Sequence, residues 1–261
     1  MYGWRARIAL VIAHSNTVVE PEFNRLMPDG VTVHTARVRI GTISVEGNQI
    51  SDDEMRHAVS SLCDINARAF AYPCTAANIA AGVDGDLAQA RFISNISGTP
   101  TVTASAALVE ALAALDIKRI ALATPYPPDL NESSTAFWKS AGIEVVNLWG
   151  VDLGGARRPL EPLSSKPISH VGAQPPYVAY NLARRAYDAR AQAVVISGAG
   201  MRTAEIAAQF EQDVGIPLIT SSLASIWATL QAAGVREPIT GYGRLLAEQP
   251  RLRWVRIPRS H

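Results

Sequence analysis

The sequence predicts an α/β fold of two pseudo-symmetric lobes, each built on a doubly wound parallel sheet, with a candidate active site in the cleft between them. Short apolar, β-branched runs alternate with longer helical stretches along the chain. The strand-like runs are apolar on both faces, as parallel strands covered by helices require. The two halves also repeat one order of elements, which indicates an internal duplication.

The first half alternates strand patterns with helical ones. Strands are predicted at 8–13, 31–40, 69–72 and 100–102, and helices at 52–68, 84–92 and 104–115. The helix at 52–68 carries a capping box, because Ser51 precedes it and Glu54 follows three positions later. Pro73 closes the strand at 69–72.

The second half continues the alternation. Strands are predicted at 119–123, 145–148, 193–197 and 217–219, and helices at 128–141, 176–190, 203–212 and 223–233. Segments 7–10, 69–74 and 99–105 are echoed in the same order by 119–122, 193–198 and 216–222. The predicted lobes comprise residues 1–98 plus 217–261, and residues 99–216. A duplicated α/β unit binds its ligand between the copies, so Cys74 and Gly198 should face each other across the cleft.

The segment at 154–174 is the least regular part of the chain, with several prolines and one histidine. We interpret most of it as a solvated surface loop. The alternative is a flap over the cleft, because long loops in compact domains are often lids.

Composition excludes several classes of protein. The chain has 261 residues, and 24 Lys and Arg against 23 Asp and Glu give a net charge of +1. This balance favours neither nucleic acid nor an anionic membrane as partner. No apolar run approaches a membrane span, and the N-terminus has no secretory cleavage site. Two cysteines cannot build a disulfide scaffold, so we expect a soluble, cytoplasmic protein.

Cys74 is the strongest candidate for chemistry. It follows a predicted strand and lies near helix N-terminal N–H groups, which favour a thiolate and can hold a carboxylate. The alternative is a small buried apolar residue, since free cysteine is among the most buried residue types. Cys63 lies within the predicted helix at 52–68, and we interpret it as core.

Other polar candidates follow the equivalent strands. Ser15 and Asn16 follow the first strand and either form an ordinary turn or point donors into the cleft. Tyr126 holds the same place in the second half, as a hydroxyl donor to a carboxylate or as a packed ring. Gly198 and Ala199 can present backbone N–H groups to an anion. The chain has no P-loop or dinucleotide fingerprint and its histidines share no spacing, so we expect neither nucleotide nor metal.

Several segments resemble one enzyme superfamily. Residues 2–8 and 15–23 resemble the opening of maleate cis–trans isomerases, and 197–203 resembles their second active-site segment. Residues 121–126 and 241–245 look equally like arylmalonate decarboxylase. Both belong to the aspartate/glutamate racemase superfamily. The resemblance covers nearly the whole chain and implies a cofactor-independent enzyme that works with cysteine on a small dicarboxylate.

The resemblance also implies roles for individual residues. The first catalytic cysteine matches Cys74, the hydroxyl residue after it matches Thr75, and substrate-binding residues match Asn16 and Tyr126. The second cysteine position falls on Gly198. We expect Thr75, Gly198 and Ala199 to supply donors to carboxylate or enediolate oxygens, and Ser15, Asn16 and Tyr126 to orient the substrate.

The missing second cysteine separates the possible reactions. Two-base racemisation needs a thiol on each face of the carbon, which argues against a racemase. Cis–trans isomerisation by thiolate addition needs one thiol, and so does decarboxylation of a malonate. A decarboxylase reaction here would protonate from the face opposite to that of arylmalonate decarboxylase. We favour the isomerase, keep the decarboxylase as the alternative, and place a small-acid binding protein third. A homo-oligomer is compatible with the sequence.

Overall fold

Two four-stranded, all-parallel sheets form the frame of the protein. The computed structural model describes residues 1–40, 50–153 and 171–257. The first sheet has the order β2-β1-β3-β4, with β1 (Ala6–Ala13), β2 (Val31–Val38), β3 (Ala69–Tyr72) and β4 (Thr101–Thr103). The second has the order β6-β5-β7-β8, with β5 (Arg119–Thr124), β6 (Glu144–Gly150), β7 (Ala193–Ile196) and β8 (Leu218–Thr220). The identical orders agree with the predicted duplication.

Helices cover both sheets. They are α1 (Val19–Leu26), α2 (Asp52–Ser60), α3 (Thr75–Ala80), α4 (Gly82–Ser97), α5 (Ala104–Ala114), α6 (Pro128–Ser140), α7 (Pro176–Ala186), α8 (Ala207–Val214), α9 (Ser221–Ala232) and α10 (Arg244–Glu248). Strand β1 is apolar on both faces because helices cover both sides of its sheet. Ile8, Leu10 and Ile12 pack into the main core, whereas Ala9 and Val11 pack into a second cluster under α2 and α4. The predicted two-lobe α/β fold is confirmed.

Helices α5 and α9 join the two halves. Each follows the last strand of its sheet, and the two pack against each other. Both are buried over most of their length, as their small and apolar residues allow. Helix α9 also contacts β3 and β4 of the first sheet. The residue limits proposed for the lobes stay a prediction.

Some predicted helix limits are wrong. The helix predicted at 52–68 ends at Ser60, and a short 3₁₀ turn at Cys63–Ile65 follows it, closed by Asn66 with φ of 53°. Cys63 is therefore partly buried in that turn rather than within a helix. Helix α4 is longer than predicted and ends at Gly98, whose φ of 66° suits glycine. The helix predicted at 203–212 begins only at Ala207.

No helix in the described ranges is both long and apolar enough to cross a bilayer. The cytoplasmic location stays a prediction. Of the surface loop or flap predicted at 154–174, residues 154–170 lie outside the described residues. Its last four residues are described, and two of them, Val171 and Gly172, line the cleft.

Candidate active site

A cleft open to solvent lies at the carboxyl ends of the strands, and its volume is about 620 Å³ when the solvent at its mouth is included. The strand order changes direction between β1 and β3 in the first sheet and between β5 and β7 in the second, and the cleft lies at these two points. Ligands of open α/β sheets usually bind at such a switch point. The structure brings all seven predicted site residues to this cleft: Ser15, Asn16, Cys74, Thr75, Tyr126, Gly198 and Ala199. Their positions follow directly from strands β1, β3, β5 and β7, each of which ends just before one of these groups.

Cys74 is held by a tight turn between β3 and α3. Its N–H donates to the carbonyl of Tyr72 at 2.9 Å, and its carbonyl accepts the N–H of Asn78 at 3.0 Å. Buried Asn78 in turn accepts the Ala104 N–H at 3.1 Å. The thiol is half-buried and faces the cleft beside the first N–H groups of α3. Such surroundings stabilise negative charge on sulfur.

Asn16 caps the start of a helix and also lines the cleft. Its Oδ1 accepts the N–H groups of Val18 and Val19, each at 2.9 Å, and so caps the start of α1. Its amide nitrogen is a donor only, and in this orientation it is the part of the side chain that can meet a substrate carboxylate.

The segment after β7 is tied to both lobes. The Gly198 N–H donates to the Ser221 hydroxyl at 3.0 Å, and the Ala199 N–H donates to the Thr75 hydroxyl at 3.2 Å across the cleft. A ligand would have to exchange with these hydroxyls to receive the two N–H groups. The donor roles expected of Gly198 and Ala199 therefore stay a prediction, whereas the O–H of Thr75 can donate outward.

The position of the missing second cysteine is closed by a proline ring. A Cβ on Gly198 would lie 2.7 Å from both Cγ and Cδ of Pro125. Ordinary contacts between carbon atoms lie at about 3.5–4.0 Å, so no side chain fits at this position without moving Pro125. Here the cleft lining therefore presents glycine backbone and an apolar ring.

Tyr126 is a buried neutral donor. Burial is the largest influence on the pKa of Tyr126 and raises it. Of the smaller influences, the Ser197 hydroxyl lowers this pKa, negative charge on Cys74 raises it, and the Thr75 hydroxyl lowers it. The phenolic oxygen makes no hydrogen bond of good geometry to any described residue. Because no well-formed hydrogen bond engages this hydroxyl at the wall of the cleft, it can donate to a ligand oxygen.

The comparisons with known proteins agree with this geometry. The family model described as arylmalonate decarboxylase matches residues 8–246. The chain belongs to the arylmalonate decarboxylase family. Its resemblance to the maleate isomerase and arylmalonate decarboxylase group is confirmed.

Maleate isomerases are similar to this member of the family over almost their full length. That of Nocardia farcinica is 29% identical over 93% of this chain and 96% of its own. That of Pseudomonas putida is 26% identical over 92% of this chain and 97% of its own. A solved structure of a cysteine-to-serine mutant of the Nocardia farcinica enzyme holds a covalently bound succinylcysteine intermediate. It is 25% identical, covers 93% of this chain and 98% of its own, and has a TM-score of 0.81.

Sequence reasoning missed much of the cleft wall. Residues that also line the cleft include Ala13, Ile40, Pro73, Ala76 and Pro125. All are apolar, so no chemical signature distinguishes them from core. Pro125 could have been predicted from its position, because it directly follows β5 and precedes the predicted site residue Tyr126.

Sequence reasoning also missed that Glu22 is a buried clamp between the lobes. The side chain is 8% exposed, and its Oε1 accepts the N–H groups of Thr203 at 2.9 Å and Ala204 at 3.0 Å. Burial raises the pKa of Glu22, and the Ala204 N–H is the largest influence opposing the rise. This contact fixes the segment after β7 against α1, and thereby the distance across the cleft.

We expect Glu22→Ala to lower the free energy of unfolding by about 1–3 kcal/mol, because it leaves two buried N–H groups without an acceptor. Glu22→Gln keeps an acceptor oxygen and should retain most of the stability. Urea denaturation measures both. Glu20→Ala is the matched control, since Glu20 pairs with Arg37 at the surface and should change stability by at most about 1 kcal/mol. Equal losses for alanine at the two positions would contradict the clamp.

Asp86 is a second buried carboxyl, 4% exposed on α4, with Oδ2 accepting the Thr103 hydroxyl at 3.0 Å. Burial raises its pKa from 3.8 to about 7, although the Ser105 and Thr103 hydroxyls and the charge of Arg256 each lower this pKa. A raised pKa in the folded state means that the group stabilises the fold at low pH. That stability is lost as the pH rises from about 4 to about 7.

We therefore expect Asp86→Asn to flatten part of the pH dependence of stability, because asparagine keeps an acceptor but does not ionise. Between about pH 5 and about pH 8 the wild-type protein should lose stability relative to the variant. Urea denaturation of both proteins at the two pH values measures the difference. Parallel changes in the two proteins would show that Asp86 does not titrate in this range.

Proposed function

We propose that this protein is a cofactor-independent, cysteine-dependent cis–trans isomerase of a small dicarboxylate such as maleate. One observation carries the proposal. The Cys74 thiol lines the cleft, while the opposite position is Gly198 with the Pro125 ring in the space of a side chain. The chain's other cysteine, Cys63, lies in a turn outside the cleft lining. The chemistry must therefore run with one thiol.

Isomerisation is complete with a single thiolate. The Cys74 sulfur adds to one olefinic carbon, a C–S bond forms, and the π electrons move onto the other carbon and its carboxylate. The former double bond is now single and rotates. The electrons then return to re-form the double bond, the C–S bond breaks, and the thiolate leaves with the product in the trans form. No net proton is consumed.

The remaining cleft residues bind the two carboxylates in this scheme. The Thr75 and Tyr126 hydroxyls and the Asn16 amide are neutral donors around the thiol, and Ser15 lies beside Asn16. Donors placed where charge develops on the carboxylate lower the barrier to addition.

Decarboxylation of a substituted malonate is the second candidate, because the family model that matches is that of arylmalonate decarboxylase. In this reaction the C–C bond to one carboxylate breaks, CO2 leaves, and its electrons form an enediolate. Cys74 then delivers a proton to carbon, and solvent restores the thiol. The isomerase is favoured because the two relatives of 26% and 29% identity are maleate isomerases.

Proton NMR in deuterated buffer distinguishes the candidates. The protein is incubated with maleate and, separately, with methylmalonate and phenylmalonate. Fumarate signals in the maleate sample, with no product from either malonate, support the isomerase. Monocarboxylic acid signals carrying deuterium at the α-carbon support the decarboxylase instead. Binding of maleate without any turnover, in a protein whose Cys74 is reduced, would indicate a small-acid binding protein and would overturn the proposal.

A further inference from the structure

A second phenol, Tyr72, lies behind Cys74, and the proposed chemistry does not use it. Tyr72 is the last residue of β3 and has no exposed surface. The hydrogen bond from the Cys74 N–H to the Tyr72 carbonyl, 2.9 Å long, spans two residues and so closes a γ-turn centred on Pro73. Cys74 packs against the same apolar cluster that contains Tyr72. Cys74 lines the cleft and Tyr72 does not, so Tyr72 meets the cysteine from the protein side.

The hydroxyl of Tyr72 has an unusual environment. Its oxygen is fully buried and makes no hydrogen bond of good geometry within the described ranges of the chain. Buried polar groups are nearly always paired, so an unpaired one next to a reactive group calls for an explanation. Two titratable groups interact with it. They are Cys74 and Asp86, and Asp86 is itself influenced by the charge of Arg256.

We propose that Tyr72 is a positioning residue, which donates its phenolic hydrogen to the Cys74 thiolate and stabilises that thiolate from the side remote from the substrate. The inference rests on the proposed function only in taking Cys74 as the reacting thiol. The neutral thiol gains little from this donor, because hydrogen bonds to charged groups are roughly twice as strong as neutral ones. The hydroxyl is therefore held ready for the ionised state.

Electrostatic coupling agrees with this geometry. Burial raises the pKa of Tyr72, and the charge and hydrogen bonding of Cys74 raise it further, followed by the charge of Asp86. Coupling between two sites is reciprocal. If the thiolate keeps the phenol protonated, the protonated phenol favours the thiolate to the same degree. The proton therefore stays on Tyr72 and ionisation occurs at Cys74.

The test is the pH dependence of Cys74 alkylation by iodoacetamide, read by mass mapping of the peptide that carries it. Tyr72→Phe removes only the hydroxyl and keeps the ring. The midpoint of the Cys74 alkylation profile should rise by about one unit, and its rate near neutral pH should fall about tenfold. Cys63 in the same samples is the internal control, and its profile should not move. A slower reaction at both cysteines would indicate a general structural change.

An unchanged Cys74 profile in folded Tyr72→Phe protein would overturn the inference. Tyr72→Leu also lacks the hydroxyl and replaces the phenylalanine variant if that variant does not accumulate. Alkylation needs no substrate, so its outcome is separate from that of the proposed function. If the profile shifts but maleate is not turned over, the positioning role of Tyr72 is supported and the isomerase proposal is wrong. If maleate is turned over but the profile does not shift, the isomerase is supported and the role of Tyr72 is wrong.

Discussion

Cys74→Ser should lower the turnover of maleate by a factor on the order of 10³ or more, because a serine hydroxyl is not ionised near neutral pH and cannot add to the double bond. Proton NMR of fumarate formation measures the loss. Binding of the substrate should persist, since Asn16, Thr75 and Tyr126 also line the cleft. Titration calorimetry with maleate on the variant checks that the cleft is intact.

The chain offers a matched control for this substitution. Cys63 is also partly buried, and its thiol donates to the Val59 carbonyl at 3.4 Å in a turn outside the cleft lining. Cys63→Ser should keep the wild-type rate. Full activity in Cys74→Ser, or an equal loss in the two variants, would remove Cys74 from the mechanism.

Gly198→Ala should destabilise the fold by about 1–3 kcal/mol, the usual cost of an added methyl group in a packed region. The reason is the 2.7 Å approach of the new Cβ to Cγ and Cδ of Pro125. Pro125→Ala removes both of those atoms. The double variant should therefore recover most of the loss, and the two substitutions should be strongly non-additive in a urea denaturation cycle.

Gly200→Ala is the control for this cycle. Its new Cβ would meet the Val171 side chain, with Cγ1 at 3.3 Å and Cβ at 3.7 Å, and that side chain can move by a few tenths of an ångström. We expect a smaller loss, unaffected by Pro125→Ala. Additive effects of Gly198→Ala and Pro125→Ala would mean that the proline ring does not limit the space for a side chain at Gly198. They would contradict the interpretation that Pro125 closes this position.

The positions of the reactive groups could be predicted from the sequence because parallel strands end at one edge of a sheet. The apolar runs of β1, β3, β5 and β7 place Asn16, Cys74, Tyr126 and Gly198 at that edge without any knowledge of side-chain packing. The periodicity that identifies a buried strand is a strong local signal.

Contacts between lobes could not be predicted in this way. The clamp from Glu22 to Thr203 joins residues 181 positions apart. A carboxylate at the start of α1, where Glu22 lies, is explained locally by the helix dipole, so the sequence gives no sign of this distant contact. The proline ring against Gly198 depends in the same way on how two loops approach. Helix α2 ends at Ser60, and the 3₁₀ turn after it is closed by Asn66 in the left-handed conformation, which the helical pattern at 52–68 does not reveal.

Mass mapping after brief exposure to maleate and an acid quench shows whether Cys74 is the residue that adds to the substrate. We expect a mass gain equal to one maleic acid on the peptide that carries Cys74, absent in Cys74→Ser, and no gain on the peptide that carries Cys63. Fumarate formed at the wild-type rate by Cys74→Ser, or an adduct that forms at Cys63 and tracks turnover, would contradict this role of Cys74.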